Sequence, residues 1–187
     1  MNKKLLLSIT YLMLIGCSSL YAQQTALKSN ILYLGTTTPN AGVELGLGNH
    51  FTLDVWGAYN AWKFPNKMKL NLYLAQPEFR FWPCQKFEGH FFGAHAHYGH
   101  FNIGQIPFIS GLKDYVLRGD LYGAGLSYGY HWALGERWGM EASIGVGYAH
   151  MAYTKFHCDE CAEPVGYFTR EYFGPTRVAF SIIYFIR

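Results

Sequence analysis

Charge is scarce in this 187-residue chain: Asp, Glu, Lys and Arg together make up 14% of it, and no basic run extends beyond Lys3-Lys4. A net charge of +3 without a basic stripe leaves no electrostatic footprint for nucleic acid, so nucleic acid is not an expected partner. Long apolar runs are also missing. Outside residues 1–22 nothing approaches the roughly 20 apolar residues of a membrane-spanning helix. No convincing helical periodicity occurs from Ala26 onward. Cysteine is sparse as well, with four in the chain. What is abundant is apolar and small: 50% hydrophobic residues, 18% aromatic, 21 glycines, 15 tyrosines and 14 phenylalanines. That composition excludes intrinsic disorder, and the length suits one domain.

Residues 1–22 read as a secretory signal peptide. Met1-Asn2-Lys3-Lys4 is a short basic head, Leu5 to Gly16 a mostly apolar core, and Ala22 the small residue at the expected cut. Leu14-Ile15-Gly16-Cys17 also looks like a lipoprotein box, which would leave an acylated Cys17 as the new N-terminus; the cut after Ala22 is preferred, because a barrel with its own membrane surface needs no lipid. That cut removes Lys3 and Lys4 but no acid, so residues 23–187 are nearly neutral. It also leaves Cys84, Cys158 and Cys161, too few for a disulfide framework.

Alternation at period two runs through nearly all of residues 23–187, in about eight segments separated by turn signals. The expected strands are Ala26–Gly35, Asn40–Leu47, Phe51–Trp62, Lys69–Phe81, His90–Phe101, Arg118–Ala133, Trp138–Thr154 and Tyr172–Ile186. Gly48-Asn49-His50 and Leu134-Gly135-Glu136-Arg137 are tight turns, whereas residues 102–117 and 155–171 are long connections. The fold class this layout predicts is all-β: an eight-stranded antiparallel transmembrane up-and-down β-barrel with short periplasmic turns and longer external loops, placed in the bacterial outer membrane. Lipid of that membrane is then its first partner.

The two faces differ in size and polarity. Tyr122, Ala124, Leu126, Tyr128, Tyr130 and Trp132 share one face, against Gly123, Gly125, Ser127 and Gly129 on the other. The last segment sets Thr176, Val178, Phe180, Ile182 and Tyr184 against Arg177, Ala179 and Ser181. A soluble barrel buries its bulk inside, whereas here the small face carries the polar groups, so the bulky face is expected to meet lipid. A soluble antiparallel sandwich also alternates, and is the competing architecture. Trp132 and Trp138 flank a short turn and Trp82 begins another; with Trp62 at the opposite rim they are expected as interfacial aromatics.

Following the alternation, Lys28, Glu44, Asp54, Glu78, Arg80, Glu141 and Arg177 all point inward. Four acids and three bases in a narrow lumen read as a structural polar plug; a charge-lined pore is the alternative. Glu78 and Glu141 as an acid/base pair lack a substrate-accessible cleft. His95 and His97, inward with His131, have i, i+2 spacing that could share a metal, but histidines serve equally as hydrogen-bonding groups, and neither a metal nor another cofactor is expected.

His157-Cys158-Asp159-Glu160-Cys161 holds a C-x-x-C in the last long connection. Half a zinc site, a redox motif and a local disulfide all use that spacing. No second cysteine pair and no thioredoxin-like context accompany it, so a disulfide between Cys158 and Cys161 is the expected state. His100, Ser110, Asp114 and Asp120 lie in or beside residues 102–117, yet no G-x-S-x-G elbow makes them a hydrolase site.

Several stretches taken together carry a family resemblance. They include Ala26-Leu27-Lys28-Ser29-Asn30-Ile31-Leu32-Tyr33, Thr36-Thr37-Thr38-Pro39-Asn40, Gln76-Pro77-Glu78-Phe79-Arg80 and Gly89-His90-Phe91-Phe92-Gly93. Tyr122-Gly123-Ala124-Gly125-Leu126-Ser127-Tyr128-Gly129-Tyr130, Glu141-Ala142-Ser143-Ile144-Gly145-Val146-Gly147-Tyr148 and Tyr172-Phe173-Gly174-Pro175-Thr176 complete the set. The chain resembles, over residues 26–187, the bacterial outer-membrane β-barrel family known as domain of unknown function 3575. The resemblance implies an outer-membrane barrel, often encoded beside fimbrial or surface-adhesin components, and supplies no catalytic residues to carry over. One departure is the chain end, where Phe185 is followed by Ile186-Arg187 although barrel chains often finish on an aromatic residue. The expected function is therefore non-enzymatic: a structural or surface-interaction role, supporting fimbrial or other surface-appendage assembly through external loops. A small-solute or ion conduit and a lipid-modifying or proteolytic outer-membrane enzyme are the alternatives.

Overall fold

The computed structural model of the chain describes residues 25–63, 69–104, 115–157 and 164–186; the expected signal segment with Cys17, and Ser110, Asp114, Cys158 and Cys161, lie outside them. Eight strands form one ring: β1 (Thr25–Asn30), β2 (Asn40–Gly46), β3 (Phe51–Lys63), β4 (Lys69–Phe81), β5 (Gly89–Gly104), β6 (Val116–Ala133), β7 (Trp138–Phe156) and β8 (Gly166–Ile186). Each pairs antiparallel with the next, and β1 closes the barrel on β8 in a register running from Thr25 opposite Ile186 to Asn30 opposite Ser181. Closure removes every free sheet edge.

One end carries the short turns. Leu47 donates its N–H to the Phe51 carbonyl at 2.8 Å, and Leu134 does the same to Trp138 at 2.9 Å. Gly48, at φ 135°, supplies the left-handed geometry that the first of these turns requires. The other end carries the connections that follow β1, β3, β5 and β7.

Strand lengths differ from the sequence expectation at that second end. β1 stops at Asn30 instead of continuing to Gly35, and Ile31–Gly35 form a single helical turn, α1. The Asn30 side chain accepts the Leu32 N–H at 3.1 Å, as an N-cap does, while Asn40 accepts the Asn30 N–H at 2.7 Å. The unbroken apolar run Ile31-Leu32-Tyr33-Leu34 carries no period-two signal that would have marked the change. Conversely, β5 to β8 extend beyond their expected ends, and β8 begins at Gly166 rather than Tyr172. The β7–β8 ladder continues through Thr154 opposite Tyr167. Backbone pairing sustains it where the side chains no longer alternate.

A β-bulge resets the phase of β8. Gly145 pairs with Arg177 and Val146 with Pro175, leaving Thr176 as the extra residue. Thr176 therefore points into the lumen beside Arg177, and its hydroxyl meets His95 Nε2 at 2.9 Å. The outward position expected for it is incorrect, because one inserted residue inverts an alternation of period two. Below the bulge Val178 and Ile182 face out; above it Phe173 does.

The interior is also less uniformly small than its glycine content suggests. At the short-turn end Ala26, Trp82, Phe87, Phe91, Ile183 and Phe185 form a buried apolar floor. Trp82 is 0% exposed, so its expected place among the interfacial aromatics is wrong. The connection after β4 folds under the barrel: Trp82 donates its N–H to the His50 carbonyl and Lys86 to that of Asn49, both at 2.8 Å. Phe87 takes a positive φ of 64°, which turns its ring inward to meet Phe185 edge-on at 5.1 Å.

Deleting Thr176 restores uninterrupted alternation and is expected to leave a folded barrel lacking the Thr176 contacts with His95 and Gln76. Deleting Ala179, three residues on, inverts every side chain between it and the bulge and is expected to prevent folding. Circular dichroism and heat-modifiable gel migration of the two refolded variants check the contrast.

Candidate functional site

Seven ionisable side chains meet in the middle of the lumen. Lys28 comes from β1, Glu44 from β2, Asp54 from β3, Glu78 and Arg80 from β4, Glu141 from β7 and Arg177 from β8, and all are buried. These are the residues that the alternation assigned to the inner face. Each occupies an inward position because it shares phase with small or polar neighbours such as Thr52, Gln76, Ser143 and Ser181.

Arg80 is the hub. Its Nη1 donates to Glu44 Oε2 and to Glu141 Oε2, both at 2.9 Å. Its Nη2 donates to Asp54 Oδ2 at 2.9 Å and to Glu141 Oε1 at 3.0 Å, and its Nε to Glu78 Oε2 at 2.6 Å. One planar guanidinium thus serves carboxylates from four strands, a geometry that an ammonium lacks. Phe91 closes the underside, with the Arg80 guanidinium 4.3 Å from its ring centroid.

Lys28 lies 2.8 Å from Glu141 Oε2 and also pairs with Glu44. Arg177 reaches Asp54 Oδ2 at 3.2 Å, Glu78 Oε2 at 3.3 Å and Gln76 Oε1 at 2.9 Å. Thr52 donates to Glu44 and Ser127 to Glu78, and the Trp82 indole N–H donates to the Thr52 hydroxyl at 2.9 Å. The apolar floor and the ionic layer are therefore joined by a chain of hydrogen bonds. Room for it comes from glycine: a Cβ at Gly93 would stand 2.6 Å from Glu78 Oε1. Thr52 and Gln76 were not singled out in the sequence, although their inward phase was readable by the same alternation that put Ser127 on the small face.

The remaining candidates separate. His95 and His97 are inward with ring centroids 5.8 Å apart, but His95 Nε2 is engaged with Thr176. His131 is inward too, edge-on to Trp82 and Phe185. Among the described residues no group of three His, Cys, Asp or Glu is placed to hold a metal ion. His100 and Asp120 do meet, at 2.9 Å, with the Tyr98 hydroxyl donating to the same Asp120 oxygen at 3.0 Å, all on the outward face. A matching trio sits on the neighbouring strands, where Glu171 accepts from Tyr148 and lies 2.7 Å from His150 Nδ1.

The outer surface has its own order. Toward the short turns it carries Phe51, Phe79, Phe81, Phe92, Trp132 and Trp138, all exposed. Toward the other end it carries Tyr59, Trp62, Tyr73, Tyr98, Tyr122 and Phe173, also exposed. Trp62 is tied there by its indole N–H, which donates to the Thr37 carbonyl at 2.7 Å. Between the two belts lie aliphatic side chains, among them Val55, Leu126, Ile144 and Val178. From Tyr122 to Trp132, β6 advances about 33 Å at about 3.3 Å per residue, which a strand tilt of about 40° reduces to about 25 Å along the barrel axis.

The arrangement is a cluster of ion pairs inside, in which Asp54 Oδ1 is buried without a hydrogen-bond partner, and a ringed apolar band outside. Comparison with known proteins adds one finding. Residues 8–186 match the family described as Protein of unknown function (DUF3575). No curated protein and no solved structure matches the chain.

Replacing Arg80 by Met leaves four buried carboxylates to two cations, and is expected to lower unfolding stability by about 3–5 kcal/mol. His90→Ala, a change on the outer face, is expected to stay within about 0.5 kcal/mol. Urea titration of the refolded variants, followed by tryptophan fluorescence, measures both.

Proposed function

The chain belongs to this family of unknown function, and from its own geometry we propose that it is a non-enzymatic outer-membrane β-barrel, sealed by its ion network, with a structural or surface-interaction role. The observation that carries the reading is the outward apolar band between two aromatic belts. Its height of about 25 Å equals that of the lipid-facing band of outer-membrane barrels, whose aromatic girdles sit at the two interfaces. In water, a contiguous apolar surface of that extent would be an aggregation site.

The short turns then face the periplasm and the connections after β1, β3, β5 and β7 face outward. The floor around Trp82 and Phe91 together with the Arg80 network argues for a barrel that does not conduct, since packed rings and interlocked ion pairs fill the lumen at that level. What remains available for recognition is the outer rim. Its proposed partners are surface or fimbrial proteins, the company that the family resemblance implies.

Three measurements test this reading. Leu126→Arg is expected to cost about 2–4 kcal/mol of folding into bilayers, the penalty for arginine at mid-membrane, where a soluble surface would tolerate it within about 0.5 kcal/mol. Liposomes loaded with the wild-type chain are expected to show no ion conductance; steady channel currents would replace the sealed barrel with a conduit. In intact cells carrying C158S and C161S, an impermeant maleimide is expected to label Tyr167→Cys but not the exposed thiol of Cys84 at the short-turn end. Labelling of Cys84 alone would reverse the orientation.

A further inference from the structure

Above the ion network the lumen changes character. Leu72 and Leu74 on β4, Leu121 on β6, Met151 on β7 and Tyr172 on β8 take inward positions and line a cavity of about 360 Å³. That size lies within the roughly 300–1,000 Å³ of small-molecule sites, which are mostly apolar with a few placed polar groups. All five side chains are half-exposed, although the interior just below them is closed and polar. Aliphatic groups left partly wet in a concavity forfeit the stabilisation that burial would bring, and a ligand restores it.

Tyr33, Tyr172 and Thr176 add hydroxyls to the lining, and its one imidazole is that of His97. His97 is 6% exposed, and its Nδ1 has no hydrogen-bond partner among the described residues. A buried, unpartnered ring nitrogen costs stability until something bonds to it. The lining contains no charged side chain, so an ionic head of either sign would be desolvated without a counter-charge. Beneath it, the three cations are already committed to four carboxylates.

We propose that this cup binds one uncharged amphiphile, an alkyl chain ending in a hydroxyl or amide, with the chain against Leu72, Leu74, Leu121 and Met151 and the head hydrogen-bonded to the His97 imidazole. The inference rests on the closed barrel and not on its membrane location, so it stands or falls separately from the reading above.

The test uses the refolded full chain in detergent micelles, with carbon-13 labels on leucine and methionine methyls. 1-Octanol, octanoate and octylammonium are titrated in turn while NMR shifts are followed. Octanol is expected to shift the Leu74 and Met151 methyls saturably, with each ion binding at least about tenfold more weakly. Leu126, outward and 68% exposed, is expected to show no saturation. His97→Phe should weaken octanol by about three- to tenfold, the worth of one net hydrogen bond, and Leu121→Trp, which fills the cup, should abolish the response. Should Leu121→Trp not fold, Leu74→Phe serves in its place. Absence of a saturable shift, equal binding of either ion, or unchanged octanol affinity in His97→Phe overturns the proposal.

Discussion

Everything inside this barrel is arranged around Arg80. A guanidinium that donates to Glu44, Asp54, Glu78 and Glu141 draws β2, β3, β4 and β7 toward one point on the barrel axis. Each of those acids, stripped of water alone, would be prohibitively costly; gathered around one cation and flanked by Lys28 and Arg177, they share the donors of three cations, with Asp54 Oδ1 left unpartnered. Gly93 on β5 and Gly145 on β7 follow from this constraint, facing Glu78 and Arg177. An eight-stranded barrel is only just wide enough for side chains to fill, so long charged groups fit where their neighbours have no Cβ, as at Gly93.

That centre divides the lumen into layers with different physics. Below it Trp82, Phe87, Phe91 and Phe185 exclude water by packing, and the Trp82–Thr52–Glu44 hydrogen bonds tie this floor to the ion pairs. Above it the aliphatic cup stands open toward the longer connections. The inside is thus packed with rings at one end and lined with partly exposed aliphatic side chains at the other, while the outside is a band of grease edged with rings. The proposed structural or surface role, with the rim as the recognition end, draws on all of these features together.

Much of this was legible in the sequence, residue by residue. The inward assignment of Lys28, Glu44, Asp54, Glu78, Arg80, Glu141 and Arg177 needed only parity along each strand, because side chains in a strand alternate without exception until a bulge intervenes. The same parity placed Trp62, Trp132 and Trp138 on the outside. It misplaced Thr176, where the bulge opposite Gly145 and Val146 inserts a residue, and Trp82, which lies past the end of β4 where parity no longer applies. It also missed the helical turn at Ile31–Gly35, whose apolar run has no period.

The sequence by itself determined the class of the fold, the number of strands, the two faces and the sign of the charges within, because all of these are local consequences of a two-residue repeat. Only the tertiary structure decided that one arginine serves four acids, that the connection after β4 folds beneath the barrel to form its floor, and that Leu72, Leu121 and Met151 converge on a shared cavity. Those outcomes depend on strand stagger and ring closure, which bring together residues as far apart as Lys28 and Glu141, and no local pattern encodes a distance across the lumen.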